Sequence, residues 1–591
     1  MRTGSLLTLF LIAGAAVAQL NDGRRTFTHA DSLRGSIGPE RAWWDARHYA
    51  VFVTPDLDQR TIKGRTYIKF TATEPGRRMQ IDLQQPLEVD SIHMWVERPL
   101  RDAEDRIEGS TSIKTAVPFE REGDVIWLDV HRPNGVSGPY EPGEGSILWI
   151  DYHGKPKVAK NPPWDGGWIW KKDAQGNPWV SVACQGLGAS VWYPCKDHQS
   201  DEPQEGATLR ITVPDSLQGI GNGRLRSTWR NGDGTTTWEW QVSDPINTYN
   251  LVPYIGRYTH WNEVYAGVDG PLQCDYWVLA GNGPQAREHF KQVPEMLRCF
   301  EEWLGPYPFH RDGYKLVEAP HLGMEHQSAI AYGNNYVNGY RGSDLSGTGH
   351  GLAWDYIIIH ESGHEWFGNS ITTADIADMW VHEGFTDYTE TIFTECQQGP
   401  AAAQEYVIGL RRNIRNDRPI IGPYGVNEEG SGDMYYKGAN LIHMIRHIVG
   451  DSTFKAMLLD MNTTFKHSVV TSAQVEAFMI GYNATTRSLL HPSLFDQYLR
   501  STRVPVLEYA FVKRRLWMRW GNAVPGLKLP VRTETEGRML FVAVDEQWQA
   551  IPIERRHGRA KRLSVDADWY VGARRLSRRE ARTCIGIQRA K

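Results

Sequence analysis

From Arg47 to about Ala266, apolar and polar residues alternate over short runs, as in "GRTYIKFTAT" and "TTTWEWQVSD", with Gly, Pro and Asp-Gly between them. A period of two puts successive side chains on opposite faces of a sheet, so this stretch predicts the strands and turns of a β-rich domain. "WIWKKDAQGNPWVSVACQ", Trp168 to Gln185, predicts one hairpin turning near Gln175-Gly176-Asn177. Around Gly281 to Pro284 the period lengthens, and "QAREHFKQVPEMLRCFEEWLG" opens a mostly helical region. That region continues through "AWDYIIIHESGHEWFG", "YYKGANLIHMIRHIVG" and "SLFDQYLRS". Within it, the Gly/Ser-rich "RGSDLSGTGHG", Arg341 to Gly351, predicts a loop. After Arg503 short alternating runs return in "LWMRWGN", "LKLPVRT" and "MLFVAVD". The expected fold is α+β and multidomain: β-rich over 19–266, mostly α over 267–503, and a small β domain over 504–571.

At 591 residues, the chain exceeds the size at which a single core stops growing. Its 23% charged residues and net charge of −5 give no reason to expect a nucleic-acid partner. The first residues differ from the rest. Met1-Arg2, the apolar Leu6 to Ala16 and Ala16-Val17-Ala18 before Gln19 fit a secretory signal peptide over 1–18, so the chain is expected to be exported, periplasmic or secreted. The apolar run is shorter than the roughly 20 residues that span a bilayer, so no integral membrane segment is expected after its removal. Export permits a disulfide, and the six cysteines include the close pair Cys184 and Cys195, for which unpaired buried thiols are the simpler reading. The 23 tryptophans are scattered through strands and helices, where core packing explains them better than sugar binding. From Glu554 onward Lys and Arg outnumber acids, and 572–591 is expected to be a basic, solvated tail.

The isoleucine run Ile357–Ile359 leads into His360, Glu361 and His364. Residues four apart on a helix share a face, so the two imidazoles converge on one point, as the first two ligands of a zinc ion must. A random HExxH arises in roughly one such chain in 25, so the pattern needs a third ligand. "MWVHEGFTDYTE" offers Glu383, with 18 residues between it and His364, which lowers the chance rate to about one in several hundred.

With "GMEHQ", "HESGHEWFGN", "WVHEGFTDY" and "YYKGA" in this order, the chain resembles the M1 (gluzincin) family of zinc aminopeptidases over about residues 45 to 530. The resemblance implies a thermolysin-like catalytic domain with one zinc per chain on His360, His364 and Glu383. It implies Glu361 as general base, taking a proton from a water that zinc has acidified. Tyr435, in the Y-x-K-G position, would donate to the oxyanion, with Tyr436 the residue most easily confused with it. Glu325 would hold the peptide's α-ammonium, helped by Gln185, with Gly323 and Met324 beside it in the substrate-binding segment. Leu322 and His326 depart from the family's G-x-M-E-N motif at its Gly and Asn. Asp387 and Glu390 are alternative acceptors for the outer nitrogen of a metal-bound histidine, and the family favours Glu390. About 90 residues follow Arg503, in place of the large helical domain that closes the cleft in many members.

The expected activity is removal of N-terminal residues from short peptides. The rivals are a zinc endopeptidase and a non-catalytic peptide-binding protein on the same scaffold; epoxide hydrolysis is a further, weaker alternative. Side-chain preference and oligomeric state have no signal in the sequence.

Overall fold

The structure, a computed structural model, describes residues 26–101, 107–132, 138–512, 515–535, 538–552 and 562–585. The expected signal peptide lies outside them. No helix among the described residues is long and apolar enough to cross a membrane.

The chain is a multidomain α+β molecule. Its N-terminal part is built on an eight-stranded sheet in which Trp44–Asp56 pairs antiparallel with Thr61–Ala72 and parallel with Ala207–Pro214. Alternate residues of Trp44–Asp56 are buried, as the period of two requires. A four-stranded sheet shares the same core and contains the expected hairpin, Gly167–Lys172 against Pro178–Ala183. Gly176, at φ 85°, occupies a left-handed position in its turn.

The next unit begins earlier than expected. Tyr258–Gly267 pairs along its whole length with Gly270–Leu279, and that strand runs parallel to Tyr314–Glu318. The sequence boundary at 266/267 therefore falls at the end of the first arm of a hairpin, because period two continues through both arms and gives no signal of which sheet they join. This five-stranded sheet ends on the two-residue edge strand Gly323–Met324. All of Tyr314–Glu318 is buried, and its faces serve different cores. Leu316 and Ile330 pack with the helices, while Val317, Ala331 and Met324 pack with the N-terminal sheets. Buried Lys315 reaches across this seam, donating from Nζ to the carbonyls of Gly221, Gly223 and Ser328.

Helices cover the first face, among them Gln292–Leu304, Tyr356–Gly363, Trp380–Gln398, Pro400–Leu410 and Tyr436–Val449. Cys299 and Cys396 form a disulfide between the first and third of these, whereas Cys184 and Cys195 are buried free thiols. The C-terminal strands form a four-stranded and a three-stranded sheet, and Leu507, Trp520 and Val531 enter the same core as the helices. Gly572–Arg575 was expected in a solvated tail. It pairs instead with Val506–Tyr509 as a parallel edge strand, and the helix Arg578–Cys584 follows. The arginines mask it: they point outward from a strand whose pairing is made by backbone.

Candidate active site

The helix Tyr356–Gly363 starts where Asp355 accepts hydrogen bonds from the backbone N–H groups of Ile357 and Ile358. It is buried throughout, and His364 caps its C-terminal end. The four-residue spacing brings the His360 and His364 rings to 5.0 Å between centroids. Glu383 sits in the first turn of Trp380–Gln398, a helix buried on all sides from Trp380 to Thr394. That is why its sequence carries polar and apolar residues without a one-sided stripe.

Both histidines turn Nε2 toward one oxygen: Glu383 Oε2 lies 3.6 Å from His360 and 3.3 Å from His364. Their Nδ1 atoms are engaged elsewhere, on Glu390 Oε1 at 2.6 Å and on the Phe367 carbonyl at 2.9 Å. A carbonyl only accepts, so His364 carries its proton on Nδ1 and presents a lone pair from Nε2. Glu383 Oε2 is buried with no hydrogen-bond partner, an arrangement that a cation between the three atoms satisfies. A tetrahedral zinc with bonds of about 2.05 Å has ligand–ligand edges of about 3.3 Å, so two imidazoles and a carboxylate at these distances fit it.

Of the two candidate acceptors behind the ligands, Glu390 touches His360 and also accepts from Tyr406 OH at 2.6 Å. Asp387 is buried with neither oxygen hydrogen-bonded. Burial first, then the neighbouring Glu390, holds its carboxyl well above the usual range.

Ligating atoms of Glu325, Glu361 and His364 all lie within 4.8 Å of one another. Burial pushes the Glu361 carboxyl up to about 7 against the pull of the two histidines. Gly323 makes room for it, since a Cβ there would lie 2.5 Å from Glu361 Oε1. Met324 pairs with Ala331 and directs its side chain into the N-terminal core. Glu325 Oε1 accepts from Gln185 Nε2 at 2.5 Å and from Tyr249 OH at 2.8 Å. Its backbone carbonyl accepts from Asn369 Nδ2 at 2.7 Å, which ties the segment to the end of the histidine motif. His326 is accommodated by Tyr254, whose hydroxyl accepts from Nδ1 at 2.6 Å and donates to the Ala329 carbonyl.

Tyr435 precedes the helix Tyr436–Val449, and its ring stacks on His360 at 6.1 Å and 23°. The helix can place it there because Gly438 meets Gly384: a Cβ on Gly438 would lie 3.0 Å from the Gly384 Cα. Burial, then Glu383 and Glu429, raise the Tyr435 hydroxyl far above its ordinary value, so it remains a donor. Burial, then Asp387 and Glu390, raise the Tyr436 hydroxyl.

All the expected site residues except the Met324 side chain thus gather around Glu361 and the two histidines. Sequence reading missed Tyr249 and Tyr406. Both are single tyrosines outside any motif, and only the fold brings them to Glu325 and Glu390.

Residues 288–490 match the Peptidase family M1 domain. The chain is similar to leucine aminopeptidase 2 of Vanderwaltozyma polyspora, 23% identical over 57% of this chain and 50% of the relative. It is also similar to aminopeptidase B of Rattus norvegicus, 26% identical over 52% of this chain and 46% of the relative. It spans about half the length of these relatives. Among solved structures it is similar to a mutant M1 zinc metallopeptidase from Deinococcus radiodurans bound to a Tyr-Ser-Ala substrate. The TM-score is 0.62 at 22% identity, covering 80% of this chain and 98% of that one. At that identity the likeness is one of fold. Through the match over residues 288–490, that stretch of the chain is similar to the Peptidase family M1 domain.

Proposed function

We propose that this protein is a zinc aminopeptidase that removes residues from the N-termini of short peptides. The observation that carries the reading is the position of Glu325, a buried carboxylate within 4.8 Å of Glu361 and His364 and outside the set His360, His364 and Glu383 that would hold zinc. A carboxylate so close to the reacting centre suits a substrate whose ammonium lies one residue from the scissile bond. When bound, zinc would polarise the scissile carbonyl and lower the pKa of water toward 7. Glu361 takes the proton from the attacking water and delivers it to the leaving amine. The Tyr435 hydroxyl donates to the oxyanion. Glu325, with Gln185 beside it, accepts from the α-ammonium, and the edge strand Gly323–Met324 offers backbone groups to the peptide.

The test compares free-amine dipeptidyl amides with their N-acetyl twins, with and without a chelator. The free amine should be cleaved at least 10-fold faster, because a hydrogen bond to a charged group is worth about 1.5 to 3 kcal/mol. Chelation should abolish both rates. Equal cleavage of blocked peptides at internal bonds makes the protein an endopeptidase, and zinc binding without turnover makes it a peptide-binding scaffold.

We further propose that the chain is exported, on the Met1–Ala18 pattern, with support from the Cys299–Cys396 disulfide, a bond that persists in oxidising compartments. N-terminal sequencing of the mature protein should then begin at Gln19; a mature chain that retains Met1 refutes export by this signal.

A further inference from the structure

Among the described residues, one other set of metal-ligating side chains comes together without sharing a residue with the cleft: His443, His447 and Asp568. The two histidines lie four apart on Tyr436–Val449 and so share a face, with ring centroids 4.5 Å apart. Asp568 reaches them from the C-terminal β region, in the turn between the strands Ser564–Val565 and Gly572–Arg575. His443 Nε2 lies 3.0 Å from Asp568 Oδ1, and His447 Nδ1 lies 3.4 Å from Oδ2. These separations bracket the roughly 3.3 Å edge of a tetrahedral zinc site and match the 3.6 and 3.3 Å found between the histidines and Glu383.

The Asp568 side chain is 3% exposed; among the described residues its ion pairs are with the two histidines, and its Oδ1 also accepts from Gln404 Nε2 at 2.7 Å. The nearby arginines are committed elsewhere: Arg446 to Glu395 and Asp451, Arg532 to Asp566, and Arg411 to the carbonyls of Ala567 and Asp568. Arg411 acts on Asp568 through charge without an ion pair among the described residues, and a cation held between the two imidazoles would act on the carboxylate directly. Behind the cluster, His443 Nδ1 lies 3.3 Å from Tyr388 OH, the outward contact that a metal-bound histidine ordinarily makes. His447 is 23% exposed, which gives an ion and a completing water a way in from solvent.

We propose that His443, His447 and Asp568 form a second zinc site, a structural one, that fastens the C-terminal β region to the helix beginning behind Tyr435. Two imidazoles and a carboxylate suit zinc in donor type and in number, with water as fourth ligand. The site shares no ligand with the catalytic cleft, so its loss leaves peptide hydrolysis in place.

The test uses the full chain loaded with zinc chloride, dialysed free of excess metal and assayed for zinc. The parent should hold about two ions per chain, His447→Gln about one with turnover retained, and His364→Ala about one with turnover lost. His364→Ala/His447→Gln should hold none. X-ray absorption on His364→Ala should show a first shell of nitrogen and oxygen with two imidazoles. A chelator should lower the melting midpoint of His364→Ala and leave that of the double variant unmoved. One zinc per parent chain, retained by His447→Gln and lost in His364→Ala, overturns the second site and leaves the catalytic one standing. Equal zinc in His364→Ala and the double variant also overturns it. Should His364→Ala fail to fold, the parent and His447→Gln counts decide the matter alone.

Discussion

Gly323→Ala isolates the position of the proposed general base. An added Cβ would lie 2.5 Å from Glu361 Oε1 and 2.8 Å from Ile357 Cγ2, where ordinary contact begins at 3.4 Å. The carboxylate must therefore retreat by about 0.9 Å, the difference of those two distances. The residue does not occupy the left-handed region, so alanine is accepted by the backbone without strain. Misplacing a reacting group by about 1 Å costs about 100-fold in rate, so kcat should fall by about two orders of magnitude. Crowding against Ile357 is a separate, smaller effect, worth about 1 to 3 kcal/mol of stability as overpacking. Steady-state turnover of an aminoacyl amide, zinc content and a melting curve separate the two. In a Glu361→Gln background, which lacks the base, Gly323→Ala should change turnover no further. Turnover of Gly323→Ala within about threefold of the parent, with zinc bound, refutes the assignment of Glu361 as a base held in place by this wedge.

Tyr435→Phe should lower kcat by about 100- to 1000-fold with little change in KM, as expected of a donor used mainly in the transition state, while Tyr436→Phe should do far less; the reverse ranking, read from steady-state kinetics, rejects the placement. His198 yields a prediction in acid: burial, then Arg41 and Arg34, hold it down to about 3 from 6.5, so it stays neutral in the fold while the unfolded chain takes up a proton. The unfolded state then binds more protons below pH 6.5, and stability is lost as pH falls from there toward 3. Between pH 7 and 5 the parent should lose about 2 kcal/mol more than His198→Gln in urea titrations, and parallel losses contradict the neutral imidazole.

The proposed zinc ligands were legible in the sequence because their geometry is local. His360 and His364 obey helical spacing, and Glu383 follows at a motif distance in a second helix. Glu325 and Gln185 were legible only through family resemblance, since they are 140 residues apart and meet across the seam between the first two domains. Tyr249 meets Glu325 across 76 residues, with no periodic signal to announce it. The pair His443 and His447 has the same spacing as His360 and His364, yet its third partner, Asp568, stands 125 residues beyond His443 in a stretch read only as part of a small β domain. The boundary at 266/267 failed for a related reason. Alternation identifies a strand and which of its faces is apolar, but the choice of sheet is made by packing.

The five-stranded sheet, with one face in each of two cores, separates the matched family domain from the unit of folding. The stretch that matches the Peptidase family M1 domain begins at residue 288, yet the strands Tyr258–Gly267 and Gly270–Leu279 that complete its sheet precede it. The cover over Val317, Ala331 and Met324 comes from still earlier in the chain. A fragment starting at residue 288 would carry every proposed zinc ligand and the base, but it would expose half of the sheet on which Glu325 stands. Gln185 and Tyr249, the two side chains that grip that carboxylate, would be gone. The proposed recognition of a free N-terminus would thus be a property of the junction between the two parts, and neither could be exchanged for a foreign counterpart without remaking it.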